Sequence, residues 1–170
     1  MSGERETILI VGIGNELLGD EGLGVHVARW LLAAKDSLPA QVDVLEAGTA
    51  LLDLVAEMPR YSRVVIVDAV RAGQEAGTVY RVESVAEFAR QLEANLPISL
   101  HQWNLIETLQ VAGKLGLLPR QLTLIGAEPE SIDPSTELSP KLAQAAEKII
   151  SILLAEASSM RADKEFLRKG

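Results

Sequence analysis

Ile8-Leu-Ile-Val11 runs straight into Gly12-Ile-Gly-Asn-Glu-Leu-Leu-Gly-Asp-Glu-Gly-Leu-Gly24, and this join decides the fold. The first run is apolar and β-branched, which reads as a buried strand. Beyond it, Leu23, Val27, Trp30, Leu31 and Ala34 recur at helical spacing. The glycines therefore stand where a first strand turns into a first helix. Five of the chain's 13 glycines fall in these thirteen residues, so the backbone must bend tightly or admit a close approach. Glu16, Asp20 and Glu21 lie in the same loop. In open α/β sheets ligands bind outside the carboxyl ends of the strands, where this loop would lie.

A dinucleotide fingerprint needs Gly-x-Gly-x-x-Gly. Gly12 and Gly14 fit, but Leu17 holds the third position, and Glu16 would repel a pyrophosphate. An acidic loop suits a cation or a basic peptide better. Asp20 is placed to cap the first helix. Glu16 lies too far upstream for that task.

Working outward, 170 residues make one domain with a sizeable core. The expected domain covers 1–156, with 157–170 as a polar, frayed tail. Apolar residues make up 48% and aromatics only 4%, so the core is aliphatic. The net charge of −8 argues against a nucleic-acid or anionic-membrane surface. With no cysteine there is no disulfide, thiolate metal site or cysteine nucleophile. No apolar run approaches the length of a membrane span, and Glu4, Arg5 and Glu6 before the first strand do not suit a signal peptide. A soluble cytoplasmic protein is the expectation.

After the first helix, residues 41–45 alternate and read as a second strand. Thr49 is expected to cap a short helix that buries Leu51, Leu52, Leu54, Val55 and Met58, which Pro59 ends. Residues 63–67 form a third strand, apolar on both faces and therefore central and parallel. Residues 78–82 form a fourth, at an antiparallel edge. Residues 84–98 are mixed, with a helical turn expected at 85–88. Ser99 and Gln102 have the form of a capping box opening a helix that buries Leu105, Ile106, Leu109 and Ala112. Residues 121–125 give a fifth strand. Ser139 caps the last helix, Pro140 takes its first position, and Leu142 to Leu154 carry its apolar stripe. The prediction is a three-layer α/β sandwich: a mostly parallel five-stranded twisted sheet, order 2-1-3-5-4, with helices on both faces.

Two further residues stand out. Asp68 ends the central third strand, where a carboxylate is costly to desolvate unless it has a partner. Alone it could be a strand-end residue closing a turn. Beside an acidic loop from a neighbouring strand it points to a shared site. His101 falls in the first turn of a helix, where the dipole disfavours the protonated imidazole. A neutral imidazole is what a metal ligand or a base needs. His26, within the first helix, is expected to serve packing or surface.

Gly12-x-Gly-Asn-x-Leu-x-x-Asp-Glu-Gly-x-Gly24, then Asp68-Ala69, Ser99-x-His101, Gly126-x-x-Pro129 and Leu138-Ser-Pro140 resemble the nickel–iron hydrogenase maturation endopeptidases. The resemblance runs in order from about residue 7 to 155. It implies the α/β sandwich derived above. It also implies removal of a short C-terminal extension from a hydrogenase large-subunit precursor once nickel has been inserted. Glu16, Asp68 and His101 are implied as the metal-contacting and catalytic trio, and nickel as a metal that arrives in the partner. Glu21 stands where the family usually has a second Asp, and Ala127-Glu128 where it often has Ile-Gln.

Two carboxylates and an imidazole suit a divalent transition metal. Their spread over three segments differs from the His-Glu-x-x-His helix of a zinc protease, which the chain lacks. A monomer with no nucleic-acid or membrane partner is expected. Two other functions share these features. A nickel-binding chaperone could use the same ligands without hydrolysis. A peptidyl-tRNA hydrolase also has a Gly-x-Gly-Asn turn, but the acidity of this chain opposes tRNA.

Overall fold

The structure, a computed structural model, describes the backbone of residues 6–84 and 100–168 and the side chains of 6–84 and 104–159. Strands β1 (Ile8–Ile13), β2 (Val42–Gly48), β3 (Arg63–Ala69), β4 (Val79–Val82) and β5 (Gln121–Ala127) form one sheet in the order β2-β1-β3-β5-β4. All neighbours are parallel except β4 and β5. The helices are α1 (Leu23–Ala33), α2 (Leu51–Glu57), α3 (Leu100–Lys114) and α4 (Pro140–Arg168). Strand order and the antiparallel edge agree with the sequence reading.

The alternation of β1 distributes two cores. Ile8 and Ile10 join Leu23, Val27 and Leu31 of α1 and Leu142, Ile149 and Leu153 of α4 on one face. Leu9, Val11 and Ile13 join Leu54 and Met58 from the α2 region and Leu105 and Leu109 of α3 on the other. Every residue of β1 is buried, and all of β3 after Arg63, as strands covered on both faces must be.

Two glycines set how closely α1 approaches the sheet. A Cβ on Gly12 would lie 2.0 Å from the Gly24 carbonyl oxygen and 2.6 Å from Ala28 Cβ. One on Gly24 would lie 2.1 Å from the Val67 carbonyl oxygen and 2.2 Å from that of Ile13. No side chain fits in either gap, so α1 starts in contact with β1 and β3 only because both positions are glycine.

Three expectations change. Asp20 does not cap α1: the N-cap is Gly22, with no side-chain bond, and Asp20 is buried and turned toward Ser139. Thr49 does not cap α2, whose N-cap is Ala50, also without a side-chain bond. Leu52, expected on the buried face of α2, is exposed instead. Helix α4 runs unbroken to Arg168, and Ala157 is in the core. Glu156, the residue before Ala157, bonds Arg63 at 2.5 Å and also pairs with Arg81, fastening the helix to the sheet. Ser139 does cap α4, accepting from Leu142 N at 3.4 Å, and Pro140 is its first residue. The turn expected at 85–88 and the Ser99 cap lie outside the described residues.

Candidate active site

Loops leaving β1, β3 and β5 meet at the carboxyl edge of the sheet. Asp68 stands there, within the last two residues of β3 and only 1% exposed. Its Oδ1 accepts from Ala69 N at 2.8 Å. Gly14 on the next strand's loop has φ of 136°, a conformation that glycine alone adopts readily. A Cβ there would stand 1.9 Å from the Glu21 carbonyl oxygen and 3.6 Å from Asp68 Oδ1. The main chain of Glu21 and the carboxylate of Asp68 thus border the same small residue.

Glu16 lies elsewhere in that loop. Its exposed carboxylate accepts from Arg29 Nη1, and Arg29 also bonds Glu46 at 2.8 Å. Glu46 is on β2, in register with Gly12 of β1, so this ion-pair group sits on the β2 side of β1, whereas Asp68 sits on the β3 side. The Arg29 hydrogen bond holds the Glu16 carboxyl below the usual carboxylate range; partial burial opposes this, and the charges of Arg29 and His26 add to it. The Arg29 guanidinium is raised in turn, first by Glu16 and then by Glu46. His26 is half-buried beside Gly22 and Glu16, and its Nε2 has no hydrogen-bond partner among the described residues.

The backbone of His101 is helical, in the first turn of α3. Connectivity sets where that turn lies. Helix α3 leads into β5, which is parallel to β3, so it runs back along the sheet. Its 15 residues span about 22 Å, close to the length of the seven-residue strand that follows. Its first turn therefore starts near the carboxyl edge, the edge that holds Asp68. The side chain of His101 lies outside the described residues. The structure thus sets Gly14 and the Glu21 main chain of the acidic loop beside Asp68, while the exposed Glu16 carboxylate pairs with Arg29.

Two buried carboxylates at this edge hold loops together through partners that the sequence alone did not name. Asp20 accepts from Glu130 N at 2.8 Å, Ser131 N at 3.1 Å, and Ser139 N and Oγ at 2.7 and 2.8 Å. Glu128 accepts from Ala72 N at 2.8 Å, from Gly73 N and Gln74 N at 3.3 Å, and from Tyr80 Oη at 2.5 Å. Burial, and then the bond to Glu128, push the Tyr80 phenol up, so it stays protonated and keeps donating. The only sequence signal for Glu128 was its departure from the family pattern. Among the described residues no helix is long and apolar enough to cross a membrane.

The fold and this edge define a class: a doubly wound α/β protein with a carboxylate-lined site outside its strand ends. Comparison with known proteins narrows it. A family described as hydrogenase maturation protease matches residues 25–156. The hydrogenase 2 maturation protease of Escherichia coli (strain K12) is 35% identical over 152 residues, covering 87% of this chain and 88% of that one. The solved structure of the hydrogenase maturating endopeptidase HybD from E. coli has a TM-score of 0.75 at 30% identity, covering 90% of this chain and 93% of that one. For the NiFe hydrogenase maturation protease HybD from Thermococcus kodakarensis the values are 0.74 and 29%, covering 89% and 99%. The chain belongs to the hydrogenase maturation protease family.

Proposed function

We propose that this protein is an endopeptidase that removes the C-terminal extension of a nickel–iron hydrogenase large-subunit precursor after nickel insertion, and that it recognises the nickel bound there. It works as a monomer in the cytoplasm. The observation that carries the site is the buried Asp68 carboxylate beside Gly14 and the acidic loop. Asp68, His101 and one loop carboxylate complete the coordination of a metal whose other ligands belong to the precursor. A mixed oxygen and nitrogen set suits divalent nickel. Binding metal and peptide as one unit then places the scissile bond, which supplies catalysis through proximity.

For the loop carboxylate there are two candidates. The resemblance implies Glu16. The Glu16 carboxylate pairs with Arg29 at the surface, and an exposed pair of this kind is worth little and is readily given up for a metal. We therefore keep Glu16 in this role and name Glu21, whose main chain borders Gly14, as the alternative to be tested. Incubation with a nickel-loaded precursor, followed by mass analysis of its C-terminus, tests the proposal. Loss of a defined C-terminal peptide is expected. A stable complex with an intact precursor would instead indicate a nickel-binding chaperone.

A further inference from the structure

We propose that Asp20 and Glu128 are positioning residues that join three loops of the carboxyl edge into one continuous tie, so that the acidic loop and the segment after Asp68 hold or open together. The relevance to cleavage rests on the proposed function; the tie itself does not.

Each carboxylate crosses from one loop to the next. Asp20 leaves the loop after β1 and accepts from residues 130, 131 and 139, all beyond β5. Glu128, at the end of β5, accepts from residues 72, 73 and 74, all beyond β3. The two anchor points on the β5 side, Glu128 and the Glu130–Ser131 amides, are two and three residues apart. Main-chain bonds reinforce both crossings. Gly19 N donates to Ser135 O at 2.8 Å and Asp20 N to Ser131 O at 3.1 Å. Glu128 N donates to Thr78 O at 2.9 Å and Gly77 N to Glu128 O at 2.8 Å.

The chemistry explains why carboxylates are used. Both are buried, at 1% and 7% exposure, and their donors are main-chain N–H groups and hydroxyls. An ionised acceptor makes such bonds shorter and about twice as strong as a neutral one. Three donors converge on Oδ2 of Asp20 and three on Oε2 of Glu128. Truncation strands those N–H groups in a buried place, which is costlier than never having made the bonds. Glu21 follows Asp20 directly, and Ala72 lies four residues after Asp68. The tie therefore holds the chain next to Glu21 and the segment that follows Asp68, two residues that border Gly14.

Hydrogen exchange of the full chain tests this without any substrate. Asp20→Ala should speed exchange across 128–139 by about tenfold or more, and should also speed it across 70–75, which Asp20 does not touch. Glu128→Ala should open 70–75 and, at a distance, 15–22. If Asp20→Ala fails to fold, Ser139→Ala and Glu128→Gln take its place. Glu128→Gln keeps one oxygen for the three convergent donors and should open less than Glu128→Ala. Exchange that rises only in the loop each residue bonds would overturn the tie. In the cleavage assay the alanine variants should lose about 10–100-fold in kcat with KM little changed. Full kcat in a variant with opened loops would overturn the positioning role. If the unaltered protein fails to cut a nickel-loaded precursor, the proposed function falls, and the exchange data still decide the tie.

Discussion

At the scale of residues, the two loop glutamates make opposite predictions. Glu16→Gln should abolish or severely reduce cleavage, as should Asp68→Asn and His101→Ala. Glu21→Gln should keep most activity, because it is the main chain of Glu21 that borders Gly14. Cleavage rates beside circular dichroism melts decide this, and full activity in Glu16→Gln with loss of cleavage in a folded Glu21→Gln variant would move the role to Glu21. The ion pair can be checked on its own. Because Arg29 holds the Glu16 pKa down, the pairing is complete above the usual carboxylate range and is lost as pH falls through the lowered value. Arg29→Ala should return the Glu16 titration to the ordinary carboxylate range, read from the carboxyl carbon by NMR. An unchanged titration would mean that the pair does not persist in solution. Sequence alone could not make this distinction. Glu16 and Glu21 are two acids in one loop, and only the thirteen-residue reach to Arg29 and the close packing on Gly14 separate them.

At the scale of elements, the first βα unit and the Ser139 cap of the last helix were legible, and the caps of α1 and α2 were not. An apolar β-branched run followed by glycines forces a strand and a turn by local sterics, and the lack of any polar residue in β1 marks it as covered on both faces. Caps depend on where a side chain can reach. Asp20 has the chemistry of an N-cap for α1, but burial against Ser139 satisfies it better than one helical amide would. The tail reads as polar over 158–170, yet α4 continues through it, because the apolar stripe and the Glu156 pairs fix the turns just before. Gly24→Ala tests the close approach of α1. Helix propensity alone would favour alanine by about 1 kcal/mol. The new Cβ would meet two main-chain oxygens at 2.1 and 2.2 Å, which cannot give way as a flexible side chain can. The steric term wins, and a net loss of about 2 kcal/mol or more is expected in urea unfolding. A neutral or stabilising result would show that α1 is not pinned by glycine at β3.

At the scale of the whole molecule, the separation of the proposed ligands has a functional consequence. The acidic loop, the end of β3 and the start of α3 are far apart in sequence, and only the sheet topology brings them to one edge. Asp68 and His101 with one loop carboxylate leave coordination positions for ligands from another protein. Under the proposed function the metal acts as the mark of a completed precursor. Nickel-loaded precursor should be cut and metal-free precursor should not. Chelators should fail once nickel is buried in the precursor, unlike their effect on a zinc enzyme whose own metal can be stripped. Zinc added to the protein should not rescue cleavage of the metal-free form. Parallel digests of the two precursors, with the C-terminal mass measured for each, separate these outcomes. Equal cleavage of both would show that nickel is not the recognition signal, and the role given to Asp68 and His101 would have to be found in the peptide bond itself.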